Sequence, residues 1–515
     1  MSDLSSIATG ERAASAHNHP ATGVAKIDDA PPLSPAMLKA TETTSPPAFS
    51  PIVLAGFVRM AEFAIIVIVG LLIHGLYVLP TNGLAWQYPA ATFGIAVLSI
   101  VAFQAADIYQ VQAFRGYEKQ YMRLAAAWSL VFLVVIGVSF FSKTAEEFSR
   151  IWLGSFYLVG LVMLLVSRRA LFLLVRRWTE VGYLTRRTVI VGAGAPGAAV
   201  IETLRRQKNL GLQIIGLFDD RSESRIGTEC AGEPKLGTVE DLVAFGRRTR
   251  VDLVIFSLPI SAEGRILEML KKLWVLPVDI RLAAHSNKLQ FRPRSYSYIG
   301  NMPVLDVADR PIADWDVVMK WLFDKIVGGL MLIALSPIML VTAIAIKLDS
   351  PGPVLFRQKR YGFNNNLIEV FKFRSMRTDA ADATASRLVT KSDPRVTRVG
   401  RFIRKASIDE LPQLFNVVFK GNLSLVGPRP HAVNAKAAAR RYDEAVDGYF
   451  ARHRVKPGLT GWAQINGWRG ETDTQEKIQK RVEHDLYYIE NWSVLLDLYI
   501  LFRTPFALLD TENAY

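Results

Sequence analysis

The stretch Ile326–Ile346, which reads IVGGLMLIALSPIMLVTAIAI, decides how the whole chain is arranged. It is apolar and about long enough to cross a bilayer, which takes roughly 20 residues. If it crossed, residues 350–515 would lie on the opposite side of the membrane from the chain just before it. Both flanks are basic, however, with Lys320 and Lys325 before the stretch and Lys347 after it. Because Lys and Arg favour the cytoplasmic side, these flanks predict that both ends stay in the cytoplasm.

Ser336 and Pro337 interrupt the apolar stretch near its middle. Proline removes a helix hydrogen bond and kinks the axis, and a neighbouring serine hydroxyl can bond a carbonyl that the kink sets free. A re-entrant membrane helix enters one leaflet, breaks at these two residues and returns, which satisfies both the kink and the basic flanks. A kinked helix that spans the bilayer is the alternative.

Four further apolar segments precede this stretch, and each approaches the length of a membrane helix. They are Phe57–Val78, Pro89–Tyr109, Tyr121–Phe141 and Ile151–Val166. The loop after the second segment and the chain after the fourth are rich in Lys and Arg, whereas the other two connections carry few. The positive-inside rule then places both chain ends in the cytoplasm. We therefore predict a four-helix transmembrane bundle over residues 51–180, with a buried soluble bundle as the alternative.

Composition agrees with a chain that is partly embedded and partly soluble. Of the 515 residues 50% are hydrophobic, and the mean hydropathy is +0.20, high for a soluble protein and low for a pure membrane protein. A net charge of +14 suits nucleic acid, anionic lipid or phosphorylated substrates; the apolar segments favour the last two over nucleic acid. The single cysteine, Cys230, excludes an internal disulfide. Residues 1–50, which are poor in large apolar side chains, predict a disordered tail.

The pattern changes after the fourth segment, and residues 181–310 predict a Rossmann-like α/β domain. A buried strand, Thr188–Val191, runs into GAGAPG, which satisfies the pattern G-x-G-x-x-G. An amphipathic stretch follows, and a second apolar strand ends in an acidic pair. In this order Gly192, Gly194 and Gly197 predict a nucleotide loop, with phosphate at a helix N-terminus. A module kept for packing or regulation fits the sequence too, because no second half follows.

Residues 311–515 carry a dense run of polar motifs, and the first of them is a candidate strand. Ile368–Met376 predicts a strand on which Lys372 and Arg374 share a face, because side chains alternate with period two. Two fixed cations suit a phosphorylated ligand. A solvated strand edge is the alternative.

Asp409 and Glu410 lie in the string SIDELPQLFN, which begins at Ser407. Pro412 suits the first turn of a helix that ends at Gly421. The two carboxylates would then lie at or just before a helix N-terminus, where the dipole favours anions. An ionised aspartate can attack phosphorus, and the adjacent glutamate can hold Mg²⁺ or manage a proton. Ser407-x-x-Glu410 also fits a capping box, and spacing alone favours that structural interpretation.

Two loops and a final apolar helix follow. A rigid Gly-Pro turn presents Arg429, whose guanidinium could clamp a phosphate. Lys456–Gly470 mixes glycines, cations, tryptophans and the amide of Gln464, a composition that suits either a base or sugar reader or an ordinary connection. Trp492–Leu509 suits a helix in the membrane interface, and Asp485, just upstream, is a carboxylate that could join the site.

Taken together, these strings resemble the bacterial polyprenyl-phosphate hexose-1-phosphate transferases. The resemblance runs over Asp316–Tyr515, and the matching strings are KFRSM, DELPQL, SLVGPRP and KPGLTGWAQINGWRG. With its four apolar helices and Rossmann-like middle, the chain is similar to the large form of this family, in the branch that transfers glucose phosphate to undecaprenyl phosphate for exopolysaccharide synthesis.

The resemblance implies a fold and a mechanism. The fold adds to the bundle and the Rossmann-like domain a mostly α-helical monotopic catalytic domain, residues 311–515, on the cytoplasmic face of the bacterial inner membrane. Asp409 would attack the sugar-linked phosphate of a UDP-sugar, release UMP and hold the phosphosugar until undecaprenyl phosphate takes it. Glu410 would serve with Mg²⁺. The candidate substrate-binding residues are then Lys372, Arg374, Arg429, Gln464 and Asp485.

Two other functions fit parts of the chain. Membrane-bound nucleotide-sugar dehydratases or epimerases share the front half, but they need a second Rossmann domain and a Tyr-x-x-x-Lys pair, and the sequence contains no such pair. A non-catalytic membrane scaffold that binds nucleotide-sugar would keep the cationic loops without needing Asp409. The sequence does not specify which hexose is transferred, and it leaves the oligomeric state open, a homodimer included.

Overall fold

A computed structural model of the protein describes residues 34–42, 48–109, 118–207, 211–221, 229–259, 262–284, 297–300, 302–377, 394–431, 449–468 and 474–509, with a few short pieces between 431 and 449. Within this part of the chain, five helices are long and apolar enough to cross a membrane. Four of them lie in the N-terminal region, and the fifth contains Ile326–Ile346. The protein is therefore a membrane protein.

The described residues of the N-terminal region are mostly helical. Its helices are α1 (Pro35–Glu42), α2 (Pro51–Ile73, continued by further helical turns to Asn82), α3 (Gln87–Ala105), α4 (Glu118–Phe141) and α5 (Arg150–Val181). The side chains of Ser50 and Ser149 cap α2 and α5 by accepting backbone N–H bonds. One hydrophobic cluster draws on α2 to α5, with Trp128 and Trp152 fully buried in it. The outward faces expose large aliphatic and aromatic side chains, as contact with lipid requires.

A buried charge pair joins α2 to α5. Nε of Arg168 lies 2.6 Å from Oε1 of Glu62, and both side chains are buried. The Tyr109 hydroxyl donates to Oε2 of Glu62 at 2.8 Å, and the Arg59 guanidinium lies 4.9 Å from the centre of the Tyr109 ring. Because an unpaired charge inside a membrane helix is costly, this pair fixes the first long helix against the fourth.

The Rossmann-like domain is one eight-stranded sheet covered on both faces. Its elements are β1 (Arg186–Val191), α6 (Ala195–Arg206), β2 (Leu212–Phe218), β3 (Glu229–Cys230), β4 (Glu233–Gly237), α7 (Val239–Arg248), β5 (Leu253–Phe256), α8 (Glu263–Leu273), β6 (Asp279–Ala283), β7 (Ser297–Ile299) and β8 (Met302–Ala308). The strand order is β3-β4-β2-β1-β5-β6-β8-β7, with β4, β2, β1, β5 and β6 parallel. α6 packs on one face, and α7 and α8 pack on the other. Because helices cover both faces of the sheet, its central strands β1 and β5 are buried along almost their whole length.

Part of the predicted disordered tail is an ordered helix. In α1, Met37 is buried in the apolar cluster of the Rossmann-like domain. Ser34 Oγ donates to the Leu236 carbonyl at 3.3 Å, and Arg187 Nη2 donates to the Ala40 carbonyl at 2.9 Å. The prediction of disorder over residues 1–50 is therefore wrong for α1, because contacts with another domain order a segment that its own composition would not. Residues 1–33 and 43–47 lie outside the described residues.

The C-terminal domain combines helices with short strand pairs. Its elements are α9 (Asp314–Asp349), β9 (Leu355–Tyr361), β10 (Leu367–Phe373), α10 (Arg398–Lys405), α11 (Gln413–Phe415), β11 (Ser424–Val426), β12 (Lys436–Ala437), β13 (Arg440–Arg441), β14 (Gly458–Thr460), α12 (Trp462–Ile465), α13 (Gln475–Glu490) and α14 (Val494–Leu509). β9 and β10 form an antiparallel hairpin, and β11 and β14 pair in parallel. The hairpin and the parallel pair hold the loops that carry the polar motifs.

α9 stays helical through Pro337, so the predicted break is a proline inside one continuous helix. Ser336 Oγ donates to the Ile333 carbonyl at 2.7 Å. That is the carbonyl whose usual donor is missing, because residue 337 has no N–H. The half before the proline packs with Leu414 and Val417, whereas the half after it packs with Phe373, Ile403 and Leu411. Both halves of α9 therefore lie against the same C-terminal domain.

Candidate active site

A strained turn positions Asp409 and Glu410. α10 ends at Lys405, and Ser407 takes the left-handed conformation with φ of +56°. Ile408–Glu410 then forms a 3₁₀ turn, and Pro412 leads into α11, whose helical turns continue to Gly421 in the left-handed conformation. The helix start at Pro412 and the stop at Gly421 agree with the prediction. A non-glycine residue held at positive φ costs energy and is often found beside functional groups.

The Glu410 side chain turns towards cations and not towards the backbone. Lys372 Nζ donates to Oε1 of Glu410 at 2.9 Å, and Arg429 Nη2 donates to the same oxygen at 2.6 Å. The Ser407 side chain makes no capping hydrogen bond. The capping-box interpretation of Ser407-x-x-Glu410 is therefore wrong. Glu410 instead belongs to a cluster of charged side chains with Lys372 and Arg429.

Three hydrogen bonds hold the segments around this cluster in place. Asn416 is buried, accepts from the Phe371 N–H at 3.0 Å and donates to the Glu369 carbonyl at 2.6 Å. This locks the helical turns after Pro412 onto β10, the strand that carries Lys372. Gly427 N donates to the Thr460 carbonyl at 2.9 Å, at the end of the β11–β14 pair. The Arg429 loop and the Gln464 loop therefore lie side by side.

The two adjacent carboxyls have opposite pKa shifts. Burial would raise the pKa of Glu410, but Arg429 and Lys372 outweigh burial and hold it well below its usual value. Burial raises the pKa of Asp409 to about 6, with Lys372 opposing the rise and Glu410 adding to it. Among the described residues Asp409 forms no ion pair, since the cations are bonded to its neighbour. The site thus contains one carboxyl whose pKa is held low and one whose pKa is raised to about 6.

Arg374 does not join Lys372 at this cluster. It is buried, and its Nη2 and Nη1 donate to the carbonyls of Ser350 and Pro351 at 2.6 and 2.8 Å. The expectation that Lys372 and Arg374 serve one ligand is corrected by these contacts. The physical reason is that β10 ends at Phe373, and the carbonyls just past the end of α9 attract a cation.

Asp485 and Gln464 lie behind the cluster. Asp485 is 2% exposed, and its Oδ2 is 2.7 Å from Nη2 of Arg452, which also donates to the Arg429 carbonyl at 2.6 Å. Asp485 therefore supports Arg429 through an intermediate arginine. The Gln464 Oε1 atom is buried beside Gly461 and has no hydrogen-bond partner in the described part of the chain. The end of its loop, residues 469–470, lies outside the described residues.

Sequence reasoning missed Arg452 and the residues around it. Arg452 Nη1 contacts the His431 ring, and the Tyr449 hydroxyl lies 2.7 Å from His431 Nδ1. Arg481 donates to the Trp468 carbonyl through Nε at 2.9 Å and through Nη2 at 2.6 Å. The available signal was the i,i+4 spacing of Arg481 and Asp485 on a helix, which places both on one face.

The Gly-rich loop of the Rossmann-like domain is bonded to the chain itself. The Ala193 N–H donates to Oδ2 of Asp219 at 2.7 Å, and Arg221 Nη2 donates to the same oxygen at 2.7 Å and to the Ala193 carbonyl at 2.8 Å. Gly197 packs so closely that a Cβ there would lie 2.5 Å from the Gly192 carbonyl oxygen, whereas at Gly194 the nearest atom is Arg221 Nη2 at 4.0 Å. An internal carboxylate therefore takes the place that a phosphate would take at Ala193.

Two family profiles match the chain. Residues 315–511 match the family described as bacterial sugar transferase, and residues 104–284 match the family described as CoA-binding domain. The second match implies coenzyme A, but the contacts of Asp219 and Arg221 do not fit a pyrophosphate at the Gly-rich loop. No part of the chemistry is assigned to this loop.

Similar proteins cover most of the chain. A UDP-glucose:undecaprenyl-phosphate glucose-1-phosphate transferase of Xanthomonas campestris pv. campestris is 34% identical over 434 residues, which are 83% of this chain and 89% of the relative. Proteins of the same name from Klebsiella pneumoniae and Escherichia coli (strain K12) are 38% and 34% identical, over 82% of this chain and 89% of each relative.

Proposed function

The chain belongs to the bacterial sugar transferases, and from this premise we propose that it transfers glucose 1-phosphate from UDP-glucose to undecaprenyl phosphate and releases UMP. The observation that carries the proposal is the division of charge between neighbours. Lys372 and Arg429 neutralise Glu410, and the adjacent Asp409 keeps a carboxylate without an ion pair among the described residues. A carboxylate in that state can act as a nucleophile.

The reaction proceeds in two displacements at one phosphorus. An oxygen of ionised Asp409 attacks the phosphorus linked to the sugar, and the bond from this phosphorus to the oxygen of UMP breaks, so that UMP leaves with the bonding electrons. The product is an aspartyl phosphosugar. An oxygen of undecaprenyl phosphate then attacks the same phosphorus, the bond to Asp409 breaks, and the carboxylate is restored.

The remaining residues of the cluster supply position and charge. Phosphoryl transfer depends mostly on orientation and on neutralising oxygens. Lys372 and Arg429 balance the charges of Glu410 and ionised Asp409, so an incoming diphosphate needs a further cation. Glu410 fits Mg²⁺, which usually takes one or two carboxylates and completes its shell with phosphates and water. The described residues contain no group of three His, Cys, Asp or Glu that could bind a metal, so the proposed Mg²⁺ would take most of its ligands from phosphate and water.

Features of α9 and α14 support a proposal for the membrane arrangement. Both halves of α9 pack on one domain, both of its flanks are basic, and α14 exposes Leu495 and Phe502 to its surroundings. We propose that α9 is re-entrant, that α2 to α5 form a transmembrane bundle, and that the site faces the cytoplasm at the inner membrane. There it can meet both a soluble nucleotide-sugar and a lipid phosphate.

The test is UMP release by the purified full-length protein with a panel of UDP-sugars, undecaprenyl phosphate and Mg²⁺. UDP-glucose should give the largest rate, and incubation with labelled UDP-glucose alone should label the protein at Asp409. A chain that binds UDP-sugars but never releases UMP would be a scaffold, and conversion of the sugar without UMP release would indicate a dehydratase or epimerase.

A separate labelling experiment tests the topology. In a Cys230→Ser background, single cysteines replace Lys359, which follows α9, and Leu84, which lies between α2 and α3. An impermeant thiol reagent should label the Leu84→Cys protein in intact spheroplasts and the Lys359→Cys protein only after permeabilisation. Labelling of both in intact spheroplasts would place the C-terminal domain outside the cytoplasm and contradict the re-entrant arrangement.

A further inference from the structure

The 3₁₀ helix Tyr449–Arg454, called the 449–454 turn below, lies between the Rossmann-like domain and the candidate active site. Its outer side chains contact the Rossmann-like domain. The Arg247 guanidinium lies 4.8 Å from the centre of the Phe450 ring, and the Arg454 guanidinium lies 4.8 Å from the centre of a Trp274 ring. Contacts of this kind between an arginine and an aromatic ring are favourable and directional.

Two hydrogen bonds complete the contact between the domains. Arg454 Nη2 donates to the carbonyl of Asp309, just after β8, at 3.1 Å. Asn364 Nδ2 donates to the carbonyl of Gly246 in α7 at 2.9 Å. Asn364 lies in the connection of the β9–β10 hairpin, and β10 carries Lys372. The Rossmann-like domain therefore contacts the hairpin that carries Lys372 and the turn whose Arg452 bonds the Arg429 carbonyl.

The inner side of the 449–454 turn faces the active site. Arg452 is fully buried; it pairs with Asp485 at 2.7 Å and donates to the Arg429 carbonyl at 2.6 Å. Arg429 in turn donates to Glu410 at 2.6 Å. A buried charge of this kind is tolerated only where its partners are in place. Arg452 therefore fixes the backbone of the residue that neutralises Glu410.

Building on the proposed function, we propose that the Rossmann-like domain sets the position of Arg429 through the 449–454 turn, with Arg452 as the positioning residue. Phe450 and Arg454 bracket Arg452 within six residues of a tight helix. Any shift of the Rossmann-like domain against Phe450 and Arg454 must move Arg452, and with it the Arg429 carbonyl. The Rossmann-like domain thus acts on catalysis by its contact with this turn, with no ligand required at its Gly-rich loop.

The first test removes a contact far from the chemistry. Arg247→Ala in the full-length protein deletes the cation over Phe450, and Arg248→Ala is the matched control, because Arg248 is the exposed neighbour in the same helix. We expect Arg247→Ala to lower kcat/KM for UDP-glucose by about 2- to 30-fold and to raise KM. Arg248→Ala should leave both constants unchanged. A merely structural defect would reduce the amount of active protein and would leave KM unchanged.

The second test places the effect at Arg452. Arg452→Gln should lower kcat/KM by about 100-fold, and Arg452→Lys should recover part of the loss, because the cation is kept while the planar guanidinium that contacts both Asp485 and the Arg429 carbonyl is lost. In the Arg452→Gln background, Arg247→Ala should have little further effect on kcat/KM, since Arg452 no longer links the 449–454 turn to Arg429. If Arg452→Gln does not fold, Arg247→Ala and its control decide alone.

Three results would overturn the inference. The first is wild-type kcat and KM in the Arg247→Ala protein, and the second is a smaller amount of active Arg247→Ala protein with an unchanged KM. The third is an undiminished effect of Arg247→Ala in the Arg452→Gln background. Failure of the proposed function has a different signature, because the wild-type protein itself would then release no UMP from any UDP-sugar.

Discussion

Asp219 and Asp409 both lie beside a helix start with an arginine close by, yet their electrostatic states are opposite. Asp219 accepts from the Ala193 N–H at 2.7 Å and pairs with Arg221 at 2.7 Å. Burial would raise the pKa of Asp219, but Arg221 and two backbone N–H groups hold it below its usual value. At Asp409 the nearby cations are bonded to Glu410, and burial raises the pKa of Asp409 to about 6.

The difference teaches how to read a carboxylate near a phosphate-type loop. A carboxylate whose hydrogen bonds and charge are satisfied within the chain stabilises the fold and offers little to a ligand. A carboxylate that is partly desolvated, and whose neighbouring cations are bonded to another group, keeps its reactivity. As sequence, the Gly-rich pattern and the Asp-Glu pair look equally functional. Only the Asp-Glu pair, however, contains a carboxylate without an ion pair among the described residues, that of Asp409.

The largest expected effect comes from Asp409→Asn. The amide cannot form the acyl phosphate, so UMP release should fall by at least about 10³-fold and the labelled protein adduct should disappear. The measurement is UMP release with and without undecaprenyl phosphate, on protein whose amount and thermal unfolding match the wild type. Asp219→Asn is the control and should keep transfer wherever the protein stays folded. Turnover by Asp409→Asn would mean that another group is the nucleophile.

Removal of Arg429 should have the next largest effect. Arg429→Ala leaves Glu410 with Lys372 as its remaining hydrogen-bonded cation and removes a donor for the diphosphate, so kcat/KM should fall by about 10²-fold. Arg221→Ala, at the Gly-rich loop, should change kcat/KM far less, because its partner Asp219 lies outside the chemistry. Equal losses in both variants would erase the distinction between the two loops.

The pH profile sharpens the comparison at Asp409. Only the ionised carboxylate attacks, so the rate of the first displacement should fall as pH drops through about 6. Lys372 lowers the pKa of Asp409, so Lys372→Met should move this limb to higher pH. Lys359→Met, on the adjacent strand and exposed, is the control that should leave the limb in place. A limb near pH 4 in the wild type would show that Asp409 is not perturbed.

The smallest expected effect concerns stability at Asp219. Asp219→Asn removes the charge that Arg221 and the Ala193 N–H bind, which should destabilise the Rossmann-like domain by about 1–3 kcal/mol. Because the folded pKa lies below the unfolded value near 4, this contribution is present above about pH 4 and is lost as the pH falls further. Thermal unfolding followed by proteolysis of this domain measures it. An unchanged unfolding temperature would mean that the pair contributes nothing.

Local patterns predicted the elements of the fold better than the contacts between them. The second strand was predicted to end in an acidic pair, and β2 ends at Phe218, directly before Asp219 and Asp220. The helix after Pro412 ends at Gly421 as expected. These features depend on alternation, proline and glycine within a few residues. The order of α1 was missed because it depends on Met37 reaching a cluster in another domain.

Residues of the candidate site could be predicted where they lie in a short sequence motif with several polar residues. They could not be predicted where their role depends on contacts between distant segments of the chain. Asp409, Glu410, Lys372 and Arg429 come from strings with several polar residues each, and the structure brings the last three within hydrogen-bond distance. The position of Arg374 was predicted wrongly because β10 ends at Phe373, and the alternation of side chains between the two faces does not continue past the end of a strand. Arg452 was missed because its role depends on Asp485 and on the Arg429 carbonyl, which only the fold brings together.

The charge pair between Glu62 and Arg168 has a consequence for biosynthesis. α2 leaves the ribosome before α3, α4 and α5 are made, so Glu62 reaches the bilayer without its counter-ion. A charged side chain inside an inserting helix costs up to about 3 kcal/mol, and Arg168 on α5 supplies the counter-charge that offsets this cost. α2 therefore gains its counter-charge only after α5 has been made. We expect a nascent chain truncated before α5 to be degraded faster by membrane quality-control proteases than the full-length chain.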